Sequence, residues 1–230
     1  MINYSISLGK RQLVDSIWKS AGIEGLGTTF PNTEKILDNL PVETSRDEVL
    51  FIVNMKRAWE FLFDNIDYPT NLMLLRELNK ICMTDIIYGA GTIRTGMVTI
   101  GGTSWVPEIP NEADIIENIE KINNIEDKLD AALEMFCFVS RTQMFLDGNK
   151  RVSQLSCNKI LMENDIGILS IPYDKISDFK LLLVDYYETD DNAKLKEFLK
   201  GECILFNPEF LEKNKDNQAN PALNQTKTRR

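Results

Sequence analysis

Apolar side chains recur every three or four positions along most of the chain, the spacing of helices with one buried face. Leu13, Ile17 and Trp18 mark a first helix over 10–20, and a short one is predicted over 32–40, before Pro41. Thr44 or Ser45 can cap the next, with Glu48 placed for a capping box and Val49, Ile52, Val53, Trp59 and Leu62 on its apolar side. Pro69 opens a helix over 70–87 that carries Leu72, Leu75, Leu78 and Ile81. A mostly exposed helix is expected over 111–122. The stretch 126–145 repeats the pattern through Leu129, Leu133, Phe136, Val139 and Phe145. Val152, Leu155, Ile160 and Leu161 continue it to Asn164, and 174–199 supplies one or two closing helices through Phe179, Leu182, Leu183, Tyr186 and Phe198. The expected fold class is mainly α.

Residues 91–106 break this rhythm. Ile93, Val98 and Ile100 are β-branched and punctuated by glycines, as a short hairpin requires. Its free edge can accept an extended segment as a further strand; a plain connecting hairpin packed by Trp105 is the simpler reading from the residues alone. Segments 1–43, 44–206 and 207–230 are read as an N-terminal segment, a main domain and a flexible tail. That tail is too polar to order itself by burial.

Composition narrows the function classes. The 230 residues suffice for one domain with appendages, large enough for a core without disulfides. A formal charge of −9 repels polyanions and no basic aromatic patch offsets it, so no nucleic-acid partner is expected. Neither a signal peptide nor a membrane-spanning run is read, and a cytoplasmic location is expected. Cys82, Cys137, Cys157 and Cys203 lack metal-ligand spacing and there is no histidine, so they are expected to act as reduced packing residues. Self-association into a homo-oligomer stays open.

One stretch concentrates chemistry: Phe145-Leu146-Asp147-Gly148-Asn149-Lys150-Arg151, between two predicted helices. Its turn brings Lys150 and Arg151 to a helix start, where unpaired amides and the dipole favour an anion. Gly148 and Asn149 tolerate positive φ and can form an anion-binding nest, Asp147 is a candidate Mg²⁺ ligand, and Arg151 can grip phosphate oxygens. From the residues alone, an ordinary helix-to-helix turn with a solvated Lys-Arg pair is the simpler account.

The segment Thr142-Gln143-Met144-Phe145-Leu146-Asp147-Gly148-Asn149-Lys150-Arg151 resembles the signature of the Fic (filamentation induced by cyclic AMP) family, H-P-F-x-D/E-G-N-G/K-R. Gly91 to Thr103 is similar to the family's β-hairpin flap, and Ser20-Ala21-Gly22-Ile23-Glu24-Gly25 to its inhibitory motif, S/T-x-x-x-E-G/N. The three blocks stand in the family's order. The resemblance implies a Fic-like helical domain with a β-hairpin flap over the active site. It also implies transfer of AMP from ATP, with Mg²⁺, to a protein hydroxyl. The implied partners are a nucleotide and a protein target docked on the flap residues Val98, Thr99, Ile100, Gly101 and Gly102. Asp147 would hold the metal; Gly148, Asn149, Lys150 and Arg151 the nucleotide; Ser20, Glu24 and Gly25 would be regulatory. A helix contributing Asn54 toward its neighbours is also implied, whereas the residues alone favour an exposed flank for it.

The chain departs from the signature in ways that bear on chemistry. Gln143 stands where the family has its catalytic histidine, and a carboxamide can orient a hydroxyl but cannot take its proton. General-base loss is worth on the order of 10² to 10⁴ in rate. Gln154 stands where many members carry a second arginine that pairs with the inhibitory glutamate, so Glu24 would need another partner, Arg151 or Gln154. Lys150 resembles the Doc-like toxin branch that transfers phosphate, or it simply faces solvent. Three functions stay open: an AMP transferase or weakened descendant, a non-catalytic nucleotide-binding or partner-recognition module, and a phosphotransferase acting through Lys150.

Overall fold

The computed structural model describes residues 3–219. Its helices are α1 (Tyr4–Arg11), α2 (Leu13–Ile23), α3 (Phe30–Leu37), α4 (Arg46–Asp64), α5 (Leu72–Cys82) and α6 (Glu112–Asn123). They continue as α7 (Lys128–Thr142), α8 (Asn149–Glu163), α9 (Ile176–Thr189), α10 (Ala193–Phe198) and α11 (Pro208–Ala219). Two short strands, β1 (Gly167–Leu169) and β2 (Ile204–Phe206), pair antiparallel with Ile168 opposite Leu205. The mainly helical expectation is met, and no helix among the described residues is long and apolar enough to cross a membrane.

Side-chain caps set most helix starts. Asn3, Thr29, Ser45, Asn71, Asn111 and Asp127 each accept a backbone N–H from the first turn they precede. The single early helix expected over 10–20 is two, α1 and α2, joined at Gln12. The predicted tail is helical in its first part as α11; residues 220–230 lie outside the described ones.

The organising element is α8. Every residue from Arg151 to Met162 is buried, so this helix has no solvent face and little amphipathic pattern. α7 packs along it and α4 and α5 cover other sides, while the end of α2 meets its start through Ser20 and Glu24. Several of its polar residues have specific partners. Asn158 accepts from the N–H of Leu169 (2.8 Å) and donates to the same residue's carbonyl (3.1 Å), fastening β1 to the helix. Asn54, read from the residues as an exposed flank, is fully buried; it donates to the carbonyls of Thr84 (2.7 Å) and Cys82 (3.4 Å) and so ends α5. All four cysteines are free and buried.

Candidate functional site

The turn between α7 and α8 is held by its own side chains. Asn149 accepts from the N–H of Phe145 (3.0 Å) and donates to that residue's carbonyl (2.9 Å) and to Gln143 Oε1 (3.0 Å). Gly148 has φ 82°, and a Cβ there would lie 2.8 Å from Met83 Sδ and 2.9 Å from Asn79 Nδ2. Only glycine fits this conformation and this space. Asn79 of α5 donates to the Asp147 carbonyl (2.8 Å) and accepts from Gly91 N–H (2.8 Å), linking the turn to the start of the segment expected to cover it.

At the end of α7, Gln143 is left-handed (φ 46°, ψ 49°). Its Nε2 donates to the Ser140 carbonyl (2.6 Å) and lies 3.4 Å from the Tyr187 hydroxyl, while its Oε1 accepts from Asn149. Burial pushes the Tyr187 phenol well above its ordinary range, so it remains a neutral hydroxyl beside Gln143.

The cations sit at the start of α8, as the sequence suggested, but they are not free. Lys150 Nζ lies 3.0 Å from Glu24 Oε2, and Arg151 Nε 3.9 Å from Glu24 Oε1. Arg151 Nη2 is 3.4 Å from Asp147 Oδ2, and its guanidinium stacks 5.3 Å from the Phe51 ring centre. The longer Glu24 contact is an ion pair without a hydrogen bond, so Arg151 Nε is a buried donor lacking an acceptor. Ser20 Oγ donates to Gln154 Oε1 (2.9 Å), and Gln154 Nε2 donates to the Lys150 carbonyl (3.1 Å). The end of α2 thus rests on α8 through a hydroxyl–amide bond and a carboxylate shared by two cations, with Lys150 facing that carboxylate. Gly25, at φ 80°, ends α2 and lets the chain turn away.

The expected nest is altered. Gly148 adopts positive φ, yet its N–H is taken by Asp147 Oδ1 (2.5 Å), and the Asn149 side chain is spent on the turn. What remains for an anion is the first turn of α8, the Arg151 Nε and the Lys150 ammonium. Asp147, more than half exposed, is the one carboxylate in the turn. Among the described residues no trio of His, Cys, Asp or Glu gathers as metal ligands.

A cavity of about 540 Å³ opens on this turn. Gln143, Asp147, Asn149 and Lys150 form its floor, Glu24 one edge, and Lys180, Leu183, Val184 and Tyr187 of α9 a wall. Val98, Thr99, Ile100, Gly101 and Gly102 form its roof. The roof lies where a flap was expected, but as an extended loop without paired strands. Its one β-bridge joins Ile93 to Phe145. Thr103 Oγ1 donates to Glu188 Oε1 (2.9 Å), Trp105 stacks on Tyr187 at 5.3 Å, and the Arg141 guanidinium lies 4.7 Å from the Trp105 ring centre. Sequence reasoning missed Asn79, Arg94, Lys180 and Tyr187. Only Arg94 carried a signal, as a lone cation within a glycine-punctuated loop.

The fold is similar to that of known proteins. Residues 69–161 match the model of the Fic/DOC family, and comparison with curated proteins finds no match. Residues 134–508 of Fic-1 from C. elegans superpose with a TM-score of 0.71 at 20% identity, covering 84% of this chain and 62% of that one. A Fic family protein from Desulfovibrio desulfuricans G20 gives 0.69 at 19%, covering 85% and 63%. A Fic domain containing signaling protein from Bacteroides thetaiotaomicron VPI-5482 gives 0.65 at 19%, covering 77% and 72%. At these identities the likeness concerns the fold, and the chain spans less than two thirds of the first two structures' length.

Proposed function

We propose that this chain of the Fic/DOC family, whose members typically transfer AMP or another nucleotide-derived group to proteins, binds Mg-ATP in the cavity under residues 98–102 and is a weakened AMP transferase. The observation that carries the reading is the buried, acceptor-less Arg151 Nε beside Lys150 at the start of α8, a cationic pair bridged by the chain's own Glu24, with Asp147 on the far side of Arg151. A triphosphate offers more negative charge and more acceptors than one carboxylate, so it can displace Glu24 from both cations.

Asp147 fits a metal ligand only together with phosphate oxygens, because it stands without a second carboxylate in the turn; Mg²⁺ commonly binds through one carboxylate plus substrate phosphates. When bound, Mg²⁺ would neutralise phosphate charge. The chain's own part is to hold the phosphates on the α8 amides, Lys150 and Arg151, and to align a hydroxyl along the roof. In transfer, the acceptor oxygen bonds to the α-phosphorus, the bond to the β-phosphate oxygen breaks, and pyrophosphate leaves. The hydroxyl proton must go to solvent, because Gln143 cannot take it.

A non-catalytic nucleotide-binding module is the second reading, favoured by the engagement of both ends of the Gln143 amide within the fold. Phosphate transfer through Lys150 loses support from the pairing of that ammonium with Glu24.

The test uses ATP labelled at the α- or γ-phosphate, with the parent, Gln143→His and Glu24→Gly. Expected is α-label on protein, raised on the order of 10² to 10⁴-fold by Gln143→His. Label from the γ-phosphate would replace this reading with phosphate transfer. Calorimetric Mg-ATP binding without transfer in any variant would leave the binding module, and absence of binding would end both.

A further inference from the structure

Arg94 is only 6% exposed, and its charge is met by carbonyl groups. Its Nε donates to the Gln143 carbonyl (2.5 Å), Nη1 to Gly96 (2.7 Å), and Nη2 to Glu108 and, at 3.5 Å, to Pro107. Its own N–H donates to the Met144 carbonyl (3.0 Å). One planar group therefore reaches in three directions: to the residue after α7, to the outgoing leg of the roof at 94–96, and to its returning leg at 107–108.

Each contact answers a local need. The Gln143 carbonyl lies at the C-terminal end of α7, where helix carbonyls lack intrahelical partners and the dipole is negative, so a guanidinium is a favourable cap. Gln143 is left-handed, an unusual state for a residue with a side chain, and a bond to its carbonyl opposes relaxation of that backbone. The roof has no strand ladder, so tying its legs at the neck limits where residues 97–106 can travel. A buried guanidinium is tolerated only if its donors are satisfied, which makes the three-way arrangement hard to rearrange in part.

We propose that Arg94 is a positioning residue that locks the roof and the backbone of Gln143 into one register, so that a hydroxyl laid along Val98–Gly102 meets the side chain at position 143. The proposal rests on the transferase reading, since alignment matters only if a hydroxyl is brought there. Arg94 faces the neck and not the phosphate-binding start of α8, so nucleotide affinity should not depend on it. Lysine cannot replace it, because a single ammonium on a flexible stem cannot bond in three separated directions at once.

The test compares full-length parent, Arg94→Lys and Arg94→Gln by hydrogen exchange, by calorimetric Mg-ATP affinity, and by transfer in a Gln143→His background. Expected is a joint rise in exchange of about tenfold over 95–108 and 143–146 in Arg94→Gln. Mg-ATP affinity should stay within about twofold of the parent, and kcat for acceptor labelling should fall about 100-fold, the cost of a small misalignment, with KM for ATP unchanged. Arg94→Lys should recover less than half of either effect, and it carries both readouts should Arg94→Gln not fold. Unchanged exchange in a folded variant, a rise in only one of the two segments, or a loss of ATP affinity matching the loss of transfer would overturn the proposal. If the parent and Gln143→His bind no Mg-ATP, the transferase reading falls, and joint exchange still decides whether Arg94 couples the two segments.

Discussion

The floor and the roof of the cavity are built by opposite means. The floor, 143–151, is held within a few residues: Asn149 binds Phe145 and Gln143, Asp147 binds Gly148, and Arg151 pairs with Asp147. The roof, 95–108, has almost no local bonding and hangs from distant residues: Glu188 through Thr103, Tyr187 through Trp105, and the end of α7 through Arg94. A short-range network is cooperative with the core beneath it, whereas a segment with long-range anchors can open alone. The difference suits the proposed function, in which the floor would keep fixed charges around phosphates while the roof would admit another chain.

The most damaging way to test this contrast is to break the floor. Gly148→Ala places a side chain at φ 82° and drives it into Asn79 of α5 and Met83, the residue that ends that helix. Backbone strain and overpacking together should cost about 3 kcal/mol. The urea midpoint should fall with the slope unchanged, and Mg-ATP binding should be lost in the protein that remains folded. A midpoint shift corresponding to less than about 1 kcal/mol would show that the floor is looser than its bonds suggest.

This contrast also decides what the sequence made legible. The floor was readable because its chemistry is contiguous: the run from Gln143 to Arg151, and the turn preferences of Gly148 and Asn149, carry the geometry within nine residues. The helix start at Ser45 was readable because capping is local. What was lost depends on distance along the chain. Lys150 belongs to Glu24, 126 positions away, and nothing in its neighbours forecasts that. Asn54 looked like a flank residue because periodicity cannot tell a polar side chain facing solvent from one reaching two carbonyls at the end of α5. The same blindness hid α8, whose polar Ser153, Asn158 and Lys159 are buried, so that a helix enclosed on all sides was read as one with a single apolar face. The roof lacked its expected pairing because β-branched residues favour extension but do not supply a partner strand.

A second, smaller effect separates floor from roof by pH. Cys82 lies behind the floor, and burial pushes its thiol up to about 12; Cys203 is likewise pushed up to about 12. In the unfolded chain these thiols ionise near 9.0. Between those values the folded state binds the proton and the unfolded state does not, so their contribution is complete below pH 9 and is lost as pH rises toward 12. At pH 10 each thiol should remove about 1 kcal/mol. Denaturant midpoints at pH 7.5 and pH 10 measure the loss, and Cys82→Ala should reduce the difference only by its own share, because burial also raises the thiols of Cys137, Cys157 and Cys203. The roof carries no such group, so its exchange, corrected for the intrinsic pH effect, should not follow the midpoint. A roof that loosens in step with the alkaline loss would mean the two regions unfold as one.

The smallest effect is the most discriminating. Thr103→Val keeps the shape of the side chain and removes its bonds to Glu188 and to the N–H of Trp105. The Glu188 bond is solvent-exposed, where water can replace the lost partner, so global stability should change by less than about 0.5 kcal/mol. Local opening is another matter, because Thr103 is the hydroxyl that fastens the roof to α9. Its loss should raise exchange over 98–104 by about fivefold, a difference near 1 kcal/mol in the opening equilibrium, with 143–149 unchanged. Arg94 would still hold both legs, so the loosening should stop at the neck. If Thr103→Val instead lowers the global midpoint by more than about 1 kcal/mol, the roof is part of the cooperative core and a partner could not lift it without unfolding the floor.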